Sequence, residues 1–174
     1  MSREGSPPRT ASSASAIAVV DVAFSTPVVA AGTWRDLYIE AWRTTGGPAD
    51  LRATYGLQRE LIARRGGQFA LLSVVPTVGR IDSAMRTEID AGAAATYSHM
   101  KAGSLVILES GFSGAMLRSV LTGLLMVQRV NFPRLVTGTV TEGCKFLATH
   151  MNDPAIGAAL IETLYEQVAR APVR

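Results

Sequence analysis

One cysteine, Cys144, stands among 174 residues, so no internal disulfide can form and a reducing compartment is the expected setting. The two histidines, His99 and His150, are far apart and match no zinc-binding spacing. No metal and no other cofactor is therefore expected. Aromatic residues make up only 6% of the chain, which leaves the core to Ala, Val, Leu and Ile. No apolar run approaches the roughly 18 residues that a membrane span needs. Residues 14–23 come nearest to a secretion signal, but Asp21 interrupts them, and such a signal needs a continuous apolar centre. A cytoplasmic protein without a membrane span is the expectation.

Charge of one sign is scarce as well. The sequence pI is about 9.4, yet the formal net charge is only +3, and Arg3, Arg9, Arg170 and Arg174 carry part of the surplus at the two ends. No Lys/Arg cluster forms the footprint that displaces phosphate counterions, so nucleic acid is not an expected partner.

What the chain does have is a globular balance, 48% hydrophobic and 18% charged, with enough length for one domain and its own core. Residues 1–15 hold Ser, Pro, Arg and Thr with almost nothing to bury, and they read as a disordered tail. Residues 16–174 read as a single α/β domain. A first strand is expected over residues 16–24, and a second over 28–31 only at an edge, because Pro27 and Gly32 flank it. Residues 37–42 alternate with period two, which marks a strand with one wetter face. Pro48 opens a helix that Arg64, Arg65, Gly66 and Gly67 close. Residues 69–75 are a nearly continuous apolar run, as in a central strand covered on both sides.

A helix is expected over residues 82–100, with residues 101–103 returning the chain to a strand at 105–108. A Ser/Gly turn follows at 109–114, then an apolar helix over 115–130 and a strand over 135–140. Thr141 can cap a short helix through Leu147, and Asp153 a final helix beginning at Pro154. Early strands joined by a hairpin and later ones joined by helices make one mixed sheet of four to five strands with helices packed against it.

The turn carries the candidate site residues Glu109, Ser110, Gly111, Ser113 and Gly114, with Arg118 one turn into the following helix. Glycine lets backbone amides approach a ligand, and a helix start offers unpaired N–H groups to an anion. Ser113 also suits the ordinary role of helix N-cap. No P-loop or dinucleotide fingerprint is present, and Gly111-Phe112-Ser113-Gly114 lacks the spacing of a nucleophile elbow. Cys144, His150 and Asp153 form no recognisable nucleophile, base and acid set, so no catalytic residues are assigned. In the helix, Leu117, Val120, Leu121 and Leu124 can face the sheet, while Met116, Leu125 and Met126 extend the apolar surface beyond one stripe. Either the C-terminal helix or a second subunit or partner is expected to cover it.

The element order, with residues 110–126 after the third main strand and Phe132-Pro133-Arg134 beyond them, resembles the STAS-like family, relatives of bacterial anti-sigma-factor antagonists. The resemblance covers roughly residues 16–147. It implies a STAS-like fold and a non-catalytic regulatory module that binds a protein partner or itself. In the antagonists, an acidic residue and a Ser-Gly pair precede a helix, and the serine is phosphorylated. Glu109, Ser110 and Gly111 stand at the matching place, with Ser113 and Gly114 as a second pair. The alternative is a small-ligand binder that holds an anionic group at residues 110–115.

Overall fold

The computed structural model describes residues 18–127 and 130–174, with the side chains of residues 124–127 outside the description. The sequence-expected tail, and the interface candidates Leu125 and Met126 as side chains, lie outside the described residues. The strands are β1 (Asp21–Ser25), β2 (Val29–Trp34), β3 (Leu37–Trp42), β4 (Phe69–Val75), β5 (Met100–Ile107) and β6 (Arg134–Thr137). The helices are α1 (Pro48–Arg65), α2 (Ser83–Thr96), α3 (Gly111–Val127), α4 (Val140–Ala148) and α5 (Ala158–Ala169). One sheet holds all six strands in sequence order. β1, β2 and β3 pair antiparallel, and β3 through β6 pair parallel.

Six strands replace the expected four to five, because residues 29–34 form a full strand inside the sheet and not a conditional edge. Thr26 makes this possible. Its hydroxyl accepts from the amides of Val28 and Val29, at 3.2 and 3.0 Å, so Pro27 sits in a closed turn where no ladder donor is missing. The first strand begins at Asp21. Before it, the Gln167 side chain donates to Ala18 O at 2.9 Å and accepts from Val20 N at 3.0 Å, tying this segment to α5.

Two apolar layers sandwich the sheet. Leu57 and Leu61 of α1 pack with Tyr38 and Phe69 on one face, and Leu147, Ile161 and Leu164 of α4 and α5 pack with Ile39 and Leu72 on the other. β3 therefore has no wetter face: Tyr38 and Glu40 are buried beneath α1. Period two assigned the sides correctly, but it could not show that a helix covers the polar one.

Helix boundaries follow their caps. Pro48 opens α1, and Gly66, at φ 64°, closes it with its amide on Ile62 O at 2.8 Å. Asp82 caps α2 by accepting from Met85 N at 2.8 Å. The expected helix to residue 100 ends earlier, in a 3₁₀ turn over Tyr97–His99, and β5 starts at Met100. Lys101 belongs to that strand and is paired with Asp36.

α3 begins at Gly111, four residues earlier than expected, so Ser113 lies inside its first turn and is not the N-cap. Thr139, and not Thr141, caps α4. Gly157, and not Asp153, precedes α5; Asp153 holds a local turn through Ala155 N at 2.9 Å and pairs with Arg35 at 2.6 Å. α5 lies against β2, β3 and α4, whereas α3 lies along the edge strand β6. The C-terminal helix therefore does not cover α3. Val120, expected to face the sheet, points to solvent.

Candidate functional site

The parallel register sets Val75 beside Ile107 and Val106 beside Thr137, so β4, β5 and β6 end at one level. The carboxyl ends of an open α/β sheet are where ligands usually meet the fold. Three short segments leave that level, and they bring Thr77, Glu109 and Gly138 together around the start of α3.

Glu109 is the hub of the β5 to α3 turn. Its carboxylate accepts from the hydroxyls of Thr77 and Ser113, which hold it below the ordinary carboxylate range. Gly111 turns the chain into α3 at φ 74°, a conformation that favours glycine. Gly114 is required by contact: a Cβ there would stand 1.9 Å from the carbonyl oxygen of Glu109. Arg118, one turn along, sends Nη1 to Glu109 O at 2.8 Å and Ile107 O at 3.2 Å. Its guanidinium lies against Gly138, whose added Cβ would be 3.2 Å from Cζ. Glu109, Ser113, Gly114 and Arg118 thus form one unit, while Ser110 stays exposed beside it.

Thr77, Thr137, Gly138, Thr139 and Glu142 were not legible as site residues. The Thr139 hydroxyl accepts from Glu142 N at 3.2 Å. The Glu142 carboxylate receives the hydroxyl of Thr137 first and that of Thr139 second, and both hold it below the ordinary range. Thr139-Val140-Thr141-Glu142 is a capping-box pattern and was the available signal. Between α3 and the β6 to α4 corner runs an open groove of about 740 Å³, lined by Arg118, Ser119 and Thr122 on one side and by Thr137, Thr139 and Glu142 on the other.

The outer side of α3 is apolar. Phe112, Met116 and Val120 are 85%, 56% and 53% exposed, and Leu108 at the foot of the helix is 46% exposed. Spaced at i, i+4 and i+8, the three helical residues share one face, and Arg118, the only charged residue of the helix, is turned to the sheet.

A second polar centre is buried. Glu40 accepts from Trp42 Nε1 at 3.1 Å, Gln58 Nε2 at 3.1 Å and Ser73 Oγ at 3.0 Å. Burial pushes its carboxyl above the ordinary range, against the pull of these donors. Cys144 is buried too, and desolvation, with a smaller contribution from Glu162, pushes its thiol up to about 12. His150 Nδ1 contacts Phe146 O at 2.8 Å, and Asp153 serves Arg35 and Ala155, so those three residues do not form a catalytic set.

Among the described residues no group of three or more His, Cys, Asp or Glu side chains could hold a metal ion, and no helix is long and apolar enough to cross a membrane. Compared with known proteins, the chain matches no family model, no curated protein and no solved structure.

Proposed function

We propose that this protein is a non-catalytic, STAS-like regulatory module of the cytoplasm that docks a protein surface on the outer face of α3. The observation that carries the reading is the apolar row of Phe112, Met116 and Val120, with Leu108 beside it, exposed to solvent on a helix whose only charge points inward. A contiguous apolar patch of this kind marks an interaction surface. A two-fold contact uses the same patch on both subunits, and a face without charge meets its image without like-charge repulsion, so a second copy of the chain is the favoured partner.

The STAS-like part of the reading is supported by the place of Glu109, Ser110 and Gly111 between a parallel strand and the helix that follows. A free anion at residues 110–115 is the weaker alternative. The Glu109 carboxylate already takes the Ser113 hydroxyl there, and its charge opposes a second anion.

Light scattering on the purified protein across a concentration series tests the docking. The expected result is a species of twice the 18.4 kDa chain mass, lost in Phe112→Asp, with circular dichroism unchanged. A monomer at every concentration, or a dimer that survives Phe112→Asp together with Met116→Glu, overturns it.

A further inference from the structure

The groove between α3 and the β6 to α4 corner has two charged walls that are fixed before any ligand arrives. Arg118 is anchored through Nη1 on Ile107 O and Glu109 O, while its Nε and Nη2 make no hydrogen bond among the described residues. An anchored guanidinium with a free pair of donors suits an oxyanion, because the fork geometry matches two acceptor oxygens.

Across the groove, the hydroxyls of Thr137 and Thr139 orient the Glu142 carboxylate. Glu142 and Arg118 form no ion pair with each other or with any other group among the described residues. Ser119 and Thr122 add hydroxyls along the α3 wall, and among the described residues no aromatic ring lines the groove.

Each feature narrows the ligand. A polyanion such as a nucleoside triphosphate would meet Glu142, and a nucleobase would find no ring to stack on. A simple cation would meet Arg118. The volume of about 740 Å³ suits a small molecule. We propose that this groove binds a small oxyanion, a carboxylate or phosphate monoester, that carries a hydroxyl or ammonium donor beside its anionic group. Arg118 takes the oxyanion and Glu142 takes the donor. The site is independent of docking on the outer face of α3.

The test is an amide-resolved NMR titration of the full chain with three probes at millimolar concentration: glycerol 3-phosphate, L-serine and inorganic phosphate. Glycerol 3-phosphate or L-serine is expected to move the amides of Ser119, Thr122, Gly138 and Thr139, and whichever does so identifies a phosphate ester or a carboxylate as the ligand. Inorganic phosphate is expected to bind about tenfold more weakly, since it offers Glu142 only a P–OH of the anionic group itself and no donor beside it. Ser119 is exposed, so Ser119→Phe fills the groove without disturbing the core, and it should abolish the shifts while circular dichroism stays unchanged. Three results would each overturn the proposal: silence with all three probes, equal binding of inorganic phosphate, or shifts that persist in Ser119→Phe.

Discussion

Gln58 donates its Nε2 to Glu40 Oε1 across 3.1 Å, while its own Oε1, buried in the same place, meets no donor. The mismatch gives Glu40→Gln a definite outcome. Trp42 and Ser73 both donate to Oε2, so a glutamine at position 40 can keep its oxygen there; with the Gln58 amide turned over, the new N–H₂ donates to the Gln58 oxygen. Burial raises the folded carboxyl above its ordinary value of 4.5. The native state therefore holds this proton to higher pH than the unfolded chain does. The stability linked to it is fully present below about pH 4.5 and is lost as pH rises through the raised folded value. Urea unfolding from about pH 4.5 to pH 8 should show Glu40→Gln gaining on the wild type, by on the order of 1 kcal/mol at the upper end. Parallel curves would show that Glu40 titrates alike in both states.

Two glycines of α3 should respond in opposite directions. Gly114→Ala forces a methyl into the Glu109 carbonyl, 1.9 Å away, and that carbonyl is held by Arg118, so a loss of roughly 2–3 kcal/mol is expected. Among the described residues, Gly123 has no atom within 4 Å of its added Cβ. There the change to alanine should gain about 0.5–1 kcal/mol through helix propensity. Thermal unfolding of the two variants checks both signs.

Ser113 hydrogen-bonds Glu109 and does not cap α3, and this changes the meaning of its substitutions. Ser113→Ala removes one neutral donor from an exposed carboxylate and should change stability little. Ser113→Asp sets a second carboxylate against Glu109, and at neutral pH it should be the less stable of the two. The repulsion requires both groups ionised, so the gap should close as pH falls below about 4. A gap that stays constant down to low pH would show that the new side chain has turned away from Glu109.

The thiol of Cys144 is buried in the layer of α4 and α5, with its ionisation pushed up to about 12. A thiolate-selective reagent should therefore modify it only as fast as the chain unfolds. Labelling rates that track urea concentration along the unfolding limb would agree with this. Rapid labelling in buffer alone would mean that α5 opens independently of the rest.

Some of this protein is written in neighbouring residues. The alternation of Leu37–Trp42, the apolar run Phe69–Val75, the Pro48 start and Gly66 stop of α1, and the presence of a turn at Glu109 and Ser110 all follow from the dihedral preferences and side-chain spacing of a few adjacent positions. Those signals are local, and they settled the α/β class and located the strand-to-helix turn. Tertiary structure decided the rest. Lys101 lies in a strand because Asp36 receives its ammonium. Glu40 is buried because α1 covers it and Trp42, Gln58 and Ser73 supply donors. The groove joins Arg118 to Thr137 and Glu142 because parallel pairing aligns the ends of β5 and β6. The outer face of α3 remains bare because α5 packs against β2, β3 and α4, away from α3 on β6. Hydrogen bonds and burial that join segments far apart in the chain complete each of these features.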